Sequence, residues 1–199
     1  MMGRWWTTMV ALAFVSAPAA AASTLSTGAD APPLLAWVAY CDREPAECAV
    51  DLAEATTIPL IPENMDLIEV INRHVNRTIS PVQDEDHWGV IDRWNLPEDG
   101  RGDCEDIQLL KRKLLIEAGL PRRALRMTVV LDAMGQGHAV LMVRTDRGDL
   151  ILDNLSPHVL RWSEAGYRFV KREGQDHTGW VWFVPEAPRH QVMVVAARD

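Results

Sequence analysis

Gly102-Asp103-Cys104-Glu105-Asp106-Ile107-Gln108-Leu109-Leu110-Lys111-Arg112-Lys113-Leu114-Leu115-Ile116-Glu117-Ala118-Gly119 sets a cysteine among three carboxylates at the start of an amphipathic helix. Leu110, Leu114 and Ala118 share one face, with Leu109, Lys113 and Glu117 beside them. Asp103 has the chemistry of an N-cap, and Gly119 with Pro121 supplies the stop. Cys104 therefore belongs to the first helical turn, where free N–H groups and the positive end of the helix dipole favour a thiolate. The flanking carboxylates oppose that shift unless a cation or a histidine offsets them.

After this helix the hydrophobic period changes. Leu125 to Leu131 is a β-branched run, Met134-Gly135-Gln136-Gly137 a turn, and His138 to Arg144 a second strand. Asp146-Arg147-Gly148-Asp149 reads as a tight hairpin turn into a third strand, Leu150 to Asp153. Further strands are expected at Tyr167 to Lys171, Trp180 to Val184 and Gln191 to Ala196. Before the helix, Leu34 to Tyr40 is a short apolar helical segment and Ala49 to Thr57 is rich in helix formers. Pro59 and Pro62 break the chain. Asn64 to Arg77 is an amphipathic helix with Leu67, Ile68, Ile71 and Val75 inward and Asn64 as its cap. Ile79 to Gly102 is a long polar connection without periodicity, anchored by Trp88 and Trp94; such loops are often functional. Helices followed by a meander of strands imply an α+β fold, with a central Cys-bearing helix packed on an antiparallel sheet.

The chain has 199 residues, enough for one domain with a core, which we place at residues 34–199. Residues 1–22 have the pattern of a signal peptide: Arg4, a short apolar run from Met9 to Val15, and Ala20-Ala21-Ala22 before Ser23. An uncleaved membrane anchor is the alternative, though the run is short for a span. Residues 23–33 read as a flexible leader. Cleavage removes Arg4 and takes the formal net charge from −8 to −9. So acidic a chain argues against nucleic acid or anionic lipid as partner, and suits a cation such as calcium. Export to a periplasmic or secreted location implies oxidised cysteines. Cys41 and Cys48 are close in sequence, with Pro45 helping the chain to turn, and are predicted to pair. Cys104 is left over, as a reactive thiol, a buried inert one, or half of an intermolecular bridge.

A thiol nucleophile needs a base, and the base needs a group that fixes its tautomer. His138 opens the second strand of the hairpin and Asp153 ends the third, so an antiparallel ladder can make them neighbours. Taken singly, His138 could be an ordinary strand-edge histidine and Asp153 the start of a turn. His74, His87, His158, His177 and His190 form no cluster of the spacing that zinc requires.

These residues resemble those of the bacterial transglutaminase-like cysteine peptidases, a family that includes periplasmic adhesin-releasing proteases. The resemblance runs through Tyr40-Cys41, Pro45-Ala46-Glu47-Cys48, Val70-Ile71-Asn72, Val75-Asn76 and Asp92-Arg93-Trp94. It is strongest in Gly100 to Asp106, Lys111 to Leu115, Gly137-His138-Ala139-Val140-Leu141 and Leu152-Asp153-Asn154. It implies a papain-like, transglutaminase-like core in which Cys104 is the nucleophile, His138 the base and Asp153 the orienting acid. It also implies calcium held by Asp103 and Glu105, with Asp106 as a further ligand. Hard carboxylate oxygens suit that ion, although the same residues could simply serve the helix terminus. The partners it implies are a protein or peptide substrate, such as a surface or envelope protein, and an inner-membrane regulator. Ile107 departs from the aromatic residue of many relatives, and the Cys41–Cys48 pair marks a branch apart from the adhesin-releasing enzymes.

The expected activity is therefore peptide hydrolysis by an exported cysteine peptidase through a thioester acyl-enzyme. Acyl transfer to an amine uses the same triad. A calcium-dependent binding module on a decayed peptidase fold is the non-enzymatic alternative. The Cys104 N–H is one expected oxyanion donor; Trp88, Trp94 and Asn72 are candidates for the second.

Overall fold

The computed structural model describes residues 24–184. The expected signal peptide, His190 and the Gln191–Ala196 strand lie outside that range. No described helix is long and apolar enough to cross a membrane.

The chain opens with β1 (Thr27–Ala31), α1 (Leu35–Arg43) and the single turn α2 (Pro45–Cys48). The Cys41–Cys48 disulfide ties α1 to α2, as the spacing predicts. α3 (Pro62–Thr78) follows, then β2 (Ser80–Pro81), the short α4 (Asp84–Trp88) and β3 (Arg101–Gly102). α5 (Cys104–Glu117) leads to β4 (Leu125–Leu131), β5 (Gly137–Thr145), β6 (Gly148–Leu152), β7 (Leu160–Arg161), β8 (Arg168–Glu173) and β9 (Trp180–Phe183). Seven strands form one antiparallel sheet in the order β1-β9-β8-β4-β5-β6-β7, while β2 and β3 pair in parallel as a small separate ribbon.

α5 packs on β5 and β4 on one side and on α3 on the other. Ile107, Leu109 and Leu115 from α5, Ile68, Ile71 and Val75 from α3, and Met127, Leu141, Val143 and Leu152 from the sheet share one core. The second sheet face has its own core, of Val130, Val140, Met142, Ile151, Trp162 and Phe183. It is closed by the chain before β1: the Leu25 N–H donates to the buried Asp149 Oδ2 at 2.8 Å, although β1 and β6 are far apart in strand order. The sheet is thus curled around its second face.

Four expectations are corrected. Residues 27–31, read as part of a flexible leader, are a strand paired with β9. Ala49 to Thr57 is not helical. α3 starts at Pro62 with Ile61 as N-cap, because proline at the first helical position loses an N–H that has no helical partner anyway; the Asn64 side chain instead donates to the Pro59 carbonyl. Asp103 occupies the N-cap position of α5, yet its side chain makes no capping hydrogen bond. At the other end Gly119, with φ +96°, turns the chain out of α5 and Leu120 N–H closes on Leu115 O, the stop expected for that glycine.

Candidate active site

The N-terminus of α5 and the start of β5 meet in an open cleft lined by Cys104, His138, Ala139, Trp94, Ile91 and Gln83, among others. The hairpin brings Asp153 to His138 as the ladder predicts. Leu141 pairs with Leu152, and beyond the last rung His138 Nε2 lies 2.9 Å from Asp153 Oδ1. Asp153 Oδ1 also accepts the Leu155 N–H at 3.0 Å, and Oδ2 accepts the Tyr167 hydroxyl at 2.5 Å. Burial pushes the Asp153 carboxyl up, but these hydrogen bonds outweigh it and hold the group below its ordinary range. An ionised Asp153 makes His138 Nε2 the protonated nitrogen, and Nδ1 is then the one with a free lone pair. Burial first, and the bond to Asp153 second, raise the Tyr167 hydroxyl above its usual range, so it stays a donor.

Cys104 is a free, half-buried thiol. It donates to Glu105 Oε2 at 3.1 Å. Burial, then the charge and hydrogen bond of Glu105, drive its pKa far up, with the Ala139 backbone acting the other way. Burial and the Glu105 contact together favour the thiol over the thiolate.

The three expected metal ligands divide. Asp103 and Glu105 come together with Asp84, their oxygens within 4.8 Å of one another and all three residues buried. Asp84 Oδ1 and Asp103 Oδ1 have no hydrogen-bond partner. Burial and then the charge of Asp103 raise Glu105 to about 9. Burial raises Asp103 to about 6, with the charges of Asp84 and Asp92 adding to it. A buried group of carboxylates, two of them with a partnerless oxygen, is what a hard divalent cation satisfies. Asp106 is not among them. Its Oδ1 accepts the Asn95 N–H at 2.7 Å, so it anchors the preceding loop to α5. Gly102 makes room for it: a Cβ there would lie 2.7 Å from Asp106 Cβ.

Asp84 and Tyr167 escaped the sequence reading. The acidic run Asp84-Glu85-Asp86 was a usable signal inside the aperiodic connection, whereas a single tyrosine before a strand carries none. Among the second oxyanion candidates, Asn72 is removed, because it is buried on α3 and donates to the Pro157 carbonyl. His87, expected in a loop, lies in α4 and pairs with Asp99 at 2.8 Å.

No match was found among curated protein sequences. The model of the bacterial transglutaminase-like cysteine proteinase family matches residues 26–187. Among solved structures, calcium-bound LapG of Legionella pneumophila is similar at 27% identity and a TM-score of 0.51, over 63% of this chain and 71% of that one. The EGTA-treated form of that LapG has the same identity and TM-score, over 63% of this chain and 69% of that one. With its mixed helical and antiparallel architecture, the chain belongs to the bacterial transglutaminase-like cysteine proteinase family and is a cysteine peptidase with a transglutaminase-like fold.

Proposed function

We propose that the protein is an exported peptidase that hydrolyses peptide bonds in other exported or envelope proteins through Cys104, His138 and Asp153. The observation that carries this reading is the hydrogen-bonded His138–Asp153 pair at 2.9 Å, opening on the cleft that also holds the Cys104 thiol. Cys104 Sγ attacks the carbonyl carbon of the scissile bond and its proton passes to His138 Nδ1. The C–N bond then breaks, His138 returns the proton to the leaving amine, and a thioester remains on Cys104. Water, deprotonated by His138, hydrolyses the thioester and regenerates the thiol. Asp153 keeps the imidazole in the required tautomer and stabilises its charged form. The backbone N–H of Cys104 faces the developing oxyanion, and Gln83, which lines the same cleft, offers a side-chain amide of suitable chemistry for the second donor.

Asp84, Asp103 and Glu105 are proposed to hold calcium in this chain, a reading favoured by the orphaned oxygens of Asp84 and Asp103 and by the similarity to a LapG whose structure is calcium-bound. When bound, the ion supplies positive charge that offsets the three carboxylates beside the thiol. With Glu105 engaged in this way, its Oε2 no longer accepts the Cys104 S–H, and His138 competes for that proton on better terms.

Mass spectrometry of exported proteins from cells carrying the wild type or Cys104→Ala tests the peptidase reading. At least one cleavage product should vanish in the variant; identical fragment patterns would contradict it.

A further inference from the structure

Cys104, Gln108 and Lys111 are spaced i, i+4, i+7 on α5 and so share a face. Below the thiol that face is polar, although Gln108 and Lys111 are fully buried. It meets the segment that carries Asp153. Gln108 Nε2 donates to Asn154 Oδ1 at 3.3 Å. From α3, Asn76 Nδ2 donates to the Asp153 carbonyl at 2.8 Å and to the Ser156 carbonyl at 2.9 Å. Asn72, one turn earlier, donates to the Pro157 carbonyl at 3.3 Å. Two helices thus hold the chain from Asp153 to Pro157 by its carbonyls and by one side chain.

Lys111 makes no such bond, and its Nζ has no hydrogen-bond partner. Burial pulls its ammonium down to about 7, and the charge that acts against this is that of Asp153. An unpartnered buried ammonium is costly, and an apolar side chain of like volume would be the more stable choice.

We propose that Lys111 is a positioning residue for Asp153: its buried Nζ, two turns below Cys104 on the same face of α5, is the positive counterpart of the Asp153 carboxylate and acts on the thiol only through it. Asn76 and Gln108 fix the backbone and the neighbouring side chain of the same segment, so that Lys111 has a stationary anion to face. The cost of burying the charge is thereby explained by the site and not by the fold. The proposal rests on the reading of Asp153 as the orienting acid.

The test is a double-mutant cycle on the full chain, read as the rate of Cys104 alkylation by iodoacetamide at pH 7 in calcium, with the melting temperature measured alongside. Lys111→Met should slow alkylation about tenfold, within the range for coupled neighbours, and leave the melting temperature unchanged or raised. In the Asp153→Asn background the same substitution should change the rate by less than about twofold, because the partner through which it acts is gone. Lys111→Gln repeats the cycle should the methionine variant misfold. Equal slowing in the wild-type and Asp153→Asn backgrounds would reduce Lys111 to a packing residue, and no slowing by Lys111→Met in the otherwise wild-type chain would remove its role. Asp153→Asn alone alkylating at the wild-type rate is a different failure: it would overturn the reading of Asp153 and the Lys111 proposal with it.

Discussion

Three donors converge on the Asp153 carboxylate: His138, the Leu155 N–H and Tyr167. Asp153→Asn keeps a hydrogen-bonding group but loses the charge that stabilises the imidazolium, so thiol alkylation should slow without loss of fold. Tyr167→Phe removes one donor and leaves the charge; it should slow alkylation less, by about threefold to tenfold, the equivalent of one ordinary hydrogen bond. A Tyr167→Phe rate below that of Asp153→Asn would mean that the hydroxyl has a further role. The carboxylates divide in the same manner. Asp84→Asn and Glu105→Gln should each weaken calcium binding measured by calorimetry, whereas Asp106→Asn should not, because its bond to the Asn95 N–H needs only an oxygen acceptor. At this scale the sequence showed what a local pattern encodes. Cys104 stood out by its helix, and His138 and Asp153 by the hairpin between them. Asp84 reaches the site from a segment without periodicity and Tyr167 from the edge of an expected strand, and only tertiary structure brings them there.

The start of α5 depends on two side chains that turn away from conventional helix capping. Asp103 leaves the cap to join Asp84 and Glu105, and Asp106 turns back to hold Asn95. Gly102 permits the second of these, so Gly102→Ala should drive its Cβ into Asp106 and Pro97 and destabilise the protein by about 1–3 kcal/mol. A melting temperature equal to the wild type would show that the loop yields freely. The Cys41–Cys48 bridge closes a short loop far from this chemistry. Its removal by Cys41→Ser with Cys48→Ser should cost about 2–3 kcal/mol in denaturant unfolding and leave Cys104 alkylation unchanged. α5 was legible from end to end because its apolar spacing and Gly119 agree. The start of α3 was misjudged because Pro62 reads as a breaker until it is placed at the first helical position. Asp103 holds the N-cap position without a side-chain capping bond because its carboxylate, buried beside Glu105 and Asp84, is grouped with those side chains, a tertiary arrangement that its residue type alone does not reveal.

Across the whole molecule the antiparallel meander was readable from alternating runs, since each of β4, β5, β6, β8 and β9 carries its own pattern. β1 was not: Thr27-Gly28-Ala29-Asp30-Ala31 has little apolar character, and it is a strand because β9 offers an edge to pair with. The buried carboxylates give the molecule a pH signature. Burial raises Asp103 to about 6, Asp106 to about 8 and Glu105 to about 9. A folded-state pKa above the unfolded value contributes stability that is complete below the ordinary carboxylate range and is lost as pH rises through the folded value. The calcium-free protein should therefore melt higher at pH 5 than at pH 8, and, on the proposed assignment of Asp103 and Glu105 as ligands, saturating calcium should raise the pH 8 value most. Equal melting temperatures at both pH values in EGTA would contradict this. The most direct test of whether His138 activates Cys104 is the rate of iodoacetamide alkylation at pH 7 in calcium, compared between the wild type and His138→Ala with circular dichroism as the check on fold. We predict a folded variant that reacts about a hundredfold more slowly or worse; a folded His138→Ala labelled at the wild-type rate would show that His138 is not the base for this thiol.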